Sequence, residues 1–136
     1  MKLKNAKGMT LVEILVAAFI FAIALGPLLQ SLTGELFLID LAKGQTRAIF
    51  DSRNMMEAIK VTPFANMTTL FEDGTVDGPA ANRYDSLVGG YSLPGEHITV
   101  TYADIATDPL EIEVEVAWQD RRGQVRSVSA FTFKTR

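Results

Sequence analysis

From Ile14 to Leu29 the chain carries no charged side chain and is almost continuously apolar. A helix needs about 20 such residues to cross the hydrocarbon core of a bilayer. Counted from Met9, the segment reaches that length and predicts a membrane-spanning helix. After Pro27 the pattern changes character. Leu38, Leu41, Ala42, Gln45, Ala48, Ile49, Ser52, Met55, Met56 and Ile59 recur close to one helical face. Glu35, Asp40, Lys43, Arg47, Asp51, Arg53 and Lys60 fall largely elsewhere. This spacing predicts an amphipathic continuation of the same helix, with Met55 and Met56 as core filler. Gly34 and Gly44 each weaken it by about 1 kcal/mol relative to Ala. Pro63 predicts its end near Thr62. A helix from Met9 to about Val61 would be roughly 80 Å long at 1.5 Å per residue.

Turn signals dominate from Phe64 to Pro94: Asp73-Gly74, Asp77-Gly78-Pro79, Gly89-Gly90 and Pro94-Gly95. They predict short elements and a long exposed loop, with Asp73, Asp77 and Asp85 in solvated turns. Period-two alternation follows. Ile98, Val100 and Tyr102 alternate with His97, Thr99 and Thr101; Leu110, Ile112, Val114, Val116 and Trp118 alternate with Glu111, Glu113 and Glu115. Asp120-Arg121-Arg122-Gly123 reads as a turn, and Val125 to Phe133 as the returning strand. The fold class is therefore α+β: a long N-terminal helix whose second half is clasped by the apolar face of a small antiparallel sheet.

With 136 residues there is room for one domain and little more. The net charge of −3 and the lack of a basic stripe interleaved with aromatics give no reason to expect a nucleic-acid partner. The chain has no cysteine, which excludes disulfides, thiol catalysis, iron–sulfur clusters and a lipid-modified cysteine anchor. The one histidine, His97, alternates outward on a strand, so a zinc site is not expected. The acidic residues of the 64–95 loop do not match the spacing of an EF-hand, and neither a metal nor a cofactor is expected. Nucleophile-elbow and glycine-rich phosphate-loop patterns are also missing from the sequence. An anchored enzyme or solute-binding domain remains the rival class.

The chemistry concentrates at the N-terminus. Residues 1–8 hold three lysines and no acid, which marks a cytoplasmic flank. Glu13 then lies inside the apolar segment, where a carboxylate costs about 2.5–3.5 kcal/mol on insertion scales. Two readings of these features need no special machinery. Ala22-Ile23-Ala24 has the small-x-small pattern of a secretory cleavage site, although apolar residues continue through Leu36. Thr10-x-x-Glu13 has the spacing of a capping box, in which Glu13 reaches back to the Thr10 amide.

The string Lys7-Gly8-Met9-Thr10-Leu11-Val12-Glu13-Ile14-Leu15-Val16 resembles the class III signal of type IV pilins and of the pseudopilins of type II secretion. The resemblance covers about the first third of the chain. It implies cleavage by a prepilin peptidase between Gly8 and Met9 and methylation of the new Met9 amine. Glu13 then becomes the fifth mature residue, the family's hallmark glutamate, paired in the filament with the Met9 amine of a neighbouring subunit. Met stands where Phe is usual at the first mature position, and Pro27 lies a few residues earlier than the helix proline common in major pilins. The implied organisation is a leader over 1–8, a transmembrane and filament-core helix over 9–30, and a periplasmic head over 31–136. Implied partners are the peptidase, other pilin or pseudopilin subunits and the inner-membrane assembly platform. Val114 to Arg126, read as Val-x-Val-x-Trp-x-Asp-x-x-Gly-x-x-Arg, resembles the C-terminal hairpin of V-type minor pilins and of the I-type pseudopilin.

Overall fold

The computed structural model describes residues 10–136. Helix α1 spans Leu11–Val61, a single element of 51 residues that carries Pro27 within it. It ends two residues before Pro63, whose ring disfavours helical geometry in the residue preceding it. Two short helices follow, α2 (Phe64–Leu70) and α3 (Asp85–Val88), with the two-residue strand β1 (Val76–Asp77) between them. The remaining strands are β2 (His97–Tyr102), β3 (Leu110–Gln119) and β4 (Val125–Lys134). All four strands pair antiparallel in the order β1-β2-β3-β4.

The chain divides into two compact units between Ile39 and Asp40. In the first, most of the described apolar side chains of α1 are exposed. Leu11, Phe19 and Phe21 are 75%, 67% and 67% exposed, and the most apolar 18-residue window of the helix is wholly unburied. The helix is thus long and apolar enough to cross a membrane.

In the second unit the core forms between α1 and one face of the sheet. Ala48, Met55, Met56 and Ile59 meet Ile98, Val100, Tyr102, Leu110, Ile112, Val114, Val116 and Trp118. The methionines serve as core filler, as their place in the amphipathic pattern suggested. The period-two alternation is also realised. The apolar positions of β3 are buried, while Glu111, Glu113 and Glu115 lie on the opposite face and are only partly covered. Asp120 shapes the β3–β4 turn: its Oδ1 accepts the Arg122 and Gln124 amides at 2.8 and 2.9 Å.

Three expectations need correction. The buried stripe of α1 is Gly44, Ala48, Asp51, Ser52, Met55, Met56 and Ile59, whereas Leu38, Ala42, Gln45 and Ile49 are exposed. The contact face is rotated from the one that hydrophobicity suggests, and it takes in a carboxylate. Packing explains this: a Cβ on Gly44 would lie 2.9 Å from Trp118 Nε1, so this smallest side chain admits the indole. Gly44 is thereby a contact residue and not merely a weak point of the helix. The third correction concerns the 64–94 connection. It contributes Met67, Phe71, Tyr84 and Val88 to the core, and Asp77 within it is fully buried.

Candidate functional site

Thr10 and Glu13 begin α1. Thr10 Oγ1 accepts the Glu13 amide at 3.3 Å, and Thr10 O accepts the Glu13 and Ile14 amides at 3.0 and 3.2 Å. The hydroxyl satisfies one of the donors that every helix leaves open at its first turn. This is the N-cap half of the expected capping box. The Glu13 side chain is exposed, among the exposed Leu11, Val12 and Ile14. A carboxylate on an apolar helix surface is stable only at an interface with water or beside a cation. Glu13 also sits at the helix N-terminus, where the peptide dipole favours negative charge. Gly8 and Met9, the residues of the cleavage and methylation readings, lie outside the described residues.

From Leu11 to Leu29 the helix rises about 28 Å at 1.5 Å per residue, close to the hydrocarbon thickness of a bilayer. The first unit therefore presents an apolar cylinder with one carboxylate near its N-terminal end. Such a cylinder is suited to burial in lipid or among other helices.

The acidic residues of the 64–94 connection are structural anchors. Asp77 Oδ1 accepts the Arg83 amide at 3.1 Å; its Oδ2 accepts the Tyr84 amide at 2.8 Å and the Tyr91 hydroxyl. Burial alone would raise the Asp77 carboxyl, but the donors from Tyr91, Tyr84, Arg83 and Gly78 outweigh it and hold the group below its ordinary range. Asp73 Oδ1 accepts the Tyr102 amide at 2.9 Å, and Asp85 Oδ1 accepts the Tyr91 amide at 3.3 Å. Their oxygens face different donors and do not converge. Among the described residues, no group of three or more His, Asp or Glu is arranged to hold a metal ion. Sequence reasoning placed Asp77 in solvent because Asp-Gly-Pro is a turn signal. The turn is present, but its aspartate points inward.

The sequence reading also passed over a buried polar group at the α1–β2 side of the head. Asp51 and Glu96 are 0% and 1% exposed, and Arg47 forms an ion pair with Asp51 at 3.1 Å. The Arg47 and Asp51 spacing is an ordinary i, i+4 pair, which normally marks a solvated helix face.

The comparisons with known proteins bear on the N-terminal segment. The family model for the prokaryotic N-terminal methylation motif matches residues 3–29. Neither a curated protein nor a solved structure matches the chain. The matched stretch takes in Glu13 and the apolar run that α1 exposes, and it constitutes a type IV pilin-like prepilin signal.

Proposed function

We propose that this protein is a minor structural subunit of a type IV pilus or pilus-like filament and has no catalytic role. The observation that carries this reading is the methylation motif on a helix whose most apolar 18-residue window is wholly unburied. The subunit first resides in the inner membrane as a single-pass precursor, with the lysine-rich leader in the cytoplasm and the sheet domain in the periplasm. Prepilin peptidase cuts between Gly8 and Met9, and the Met9 amine is methylated. The apolar cylinder then exchanges lipid for the helices of neighbouring subunits with the help of the assembly platform.

Glu13 gives this exchange a register. In the membrane it lies about one turn from the cytoplasmic end and reaches the interface. In a dry filament core it needs a cation, and the mature amine of a neighbour supplies one. An α-amine titrates near pH 7.7–8.0 in water and is held cationic by an adjacent carboxylate. An unpartnered buried charge is costly, so only correctly staggered subunits satisfy both groups.

The minor rank rests on a small head without cysteines and on a β3–β4 hairpin that resembles those of minor subunits. That same hairpin favours a second reading, the I-type pseudopilin of a type II secretion pseudopilus. Both readings meet one test. N-terminal sequencing and intact mass of membrane-extracted protein are expected to place the mature start at Met9. Quantitative mass spectrometry of sheared filaments is then expected to find this chain far below another pilin, with its deletion reducing filament number. A mature start at Leu25 would restore an ordinary signal peptide. A fibre composed mainly of this chain would refute the minor rank.

A further inference from the structure

The head contains a cluster of polar atoms that its own hydrogen bonds leave unfinished. Arg47 enters from α1, and its Nη2 donates to Val88 O and Gly90 O at 3.2 and 3.1 Å, the carbonyls that close α3. Its Nε stands 3.1 Å from Asp51 Oδ2 without the alignment of a hydrogen bond. Glu96 lies immediately before β2. Its Oε2 accepts the Ser92 and Leu93 amides at 2.8 Å each. Asp51 and Glu96 are both buried, and the Glu96 carboxylate lies close enough to act on Asp51. Yet, among the described residues, no donor is aligned for a hydrogen bond to Asp51 Oδ1, Asp51 Oδ2 or Glu96 Oε1.

Two ionised carboxylates in contact in a dry site repel one another and leave lone pairs unsatisfied. A single proton removes both defects. We propose that Asp51 in the folded head is a protonated carboxylic acid that donates its O–H to Glu96 Oε1, forming a proton-dependent latch between helix α1 and the 89–96 loop. The cluster then carries one positive charge on Arg47 and one negative charge on Glu96, and is neutral as a whole. Tyr91 from the loop is a further ionisable group beside it, and its hydroxyl is committed to Asp77.

The direction of titration agrees with the geometry. Burial first, then the Glu96 carboxylate, push Asp51 up from its ordinary value to about 6, against the opposing pull of Arg47. A raised carboxyl binds its proton more tightly folded than unfolded. The latch therefore contributes fully below the unfolded value near 3.8 and loses strength as pH rises toward about 6, beyond which the loss is complete. Between about pH 4.5 and pH 7.5 the folding equilibrium therefore weakens through this group. Asp77, held low, behaves in the opposite sense and acts only at more acid pH.

The test uses the full chain in detergent. Asp51→Asn replaces the O–H with an N–H that donates at every pH. Its stability relative to wild type is expected to be near zero at about pH 4.5 and to shift clearly in favour of the variant by about pH 7.5. Glu96→Gln, which supplies a donor from the other side, is expected to flatten the same pH profile. In the wild-type chain itself, infrared difference spectra should contain a protonated-carboxyl stretch at about pH 5 that is gone at about pH 7.5. A wild-type-minus-Asn difference that is the same at both pH values, or an absent carboxyl stretch, would overturn the proposal. Calcium restoring wild-type stability at the higher pH but not that of Asp51→Asn would also overturn it, since the pair would then hold a metal ion in place of the proton.

Discussion

Single atoms decide two positions on α1. Glu13 is exposed on an otherwise apolar surface, and its own amide is the one that the Thr10 hydroxyl caps. Glu13→Ala removes a charge that resists insertion, so membrane levels are expected to hold or rise. Filament incorporation should fall, because the neighbouring amine loses its counterion in a dry core. Immunoblots of membrane and sheared-filament fractions measure the two separately, and equal filament content would reduce Glu13 to a feature of the helix start. Gly44 gives the opposite lesson. Propensity alone says that Gly44→Ala stabilises a helix by about 1 kcal/mol. The added Cβ would sit 2.9 Å from Trp118 Nε1 and 3.4 Å from Cε2, however, and the indole is buried. Overpacking of that kind costs about 1–3 kcal/mol, so the head should melt lower, with altered Trp118 fluorescence. Gly34→Ala, where a Cβ meets nothing within 4 Å, is the control and should be neutral or stabilising.

At the scale of elements, the end of α1 and the end of β4 depend on one another. Pro63 stops the helix, which leaves its last carbonyls without amide partners. Lys134 on β4 fills the gap: its Nζ donates to Ile59 O at 2.8 Å, to Lys60 O at 3.0 Å and to Thr62 O. The positive charge also suits the negative end of the helix dipole. Lys134→Met keeps the stem but removes these donors, and is expected to lower head stability by about 1–3 kcal/mol in a denaturant melt. An unchanged melt would mean that water caps the helix equally well. The proline stop could be read from local sequence. The lysine cap could not, since it joins residues more than seventy positions apart.

At the scale of the whole molecule, every buried side chain among the described residues belongs to the second unit, and Gly44 is the first of them. The core cluster therefore draws on none of residues 10–39. A chain beginning at Asp40 is expected to stay soluble without detergent and to unfold in one cooperative transition followed by Trp118 fluorescence. It should fail to enter filaments, since it lacks the motif and the apolar helix. Aggregation, or a melt without cooperativity, would show that the first unit supplies packing the head requires.

Local physics made much of this protein legible in advance. The uncharged run, the basic leader and the spacing of Gly8 and Glu13 are features of consecutive residues, and a family motif of consecutive residues matches them. Pro63 and the period-two strands are local as well, because a proline ring and a pleated backbone act on their immediate neighbours. Tertiary structure decided what depends on residues distant in the chain. The amphipathic pattern of α1 predicted a buried face. Only the arrival of Trp118 against Gly44 set which face it would be. Asp51 had the spacing of a surface ion pair with Arg47, and Asp77 that of a solvated turn. Each was buried when donors or partners from remote segments met it: Tyr84 and Tyr91 around Asp77, Glu96 opposite Asp51. A carboxylate's environment is a property of everything packed around it, and that packing is created only when the sheet closes on the helix.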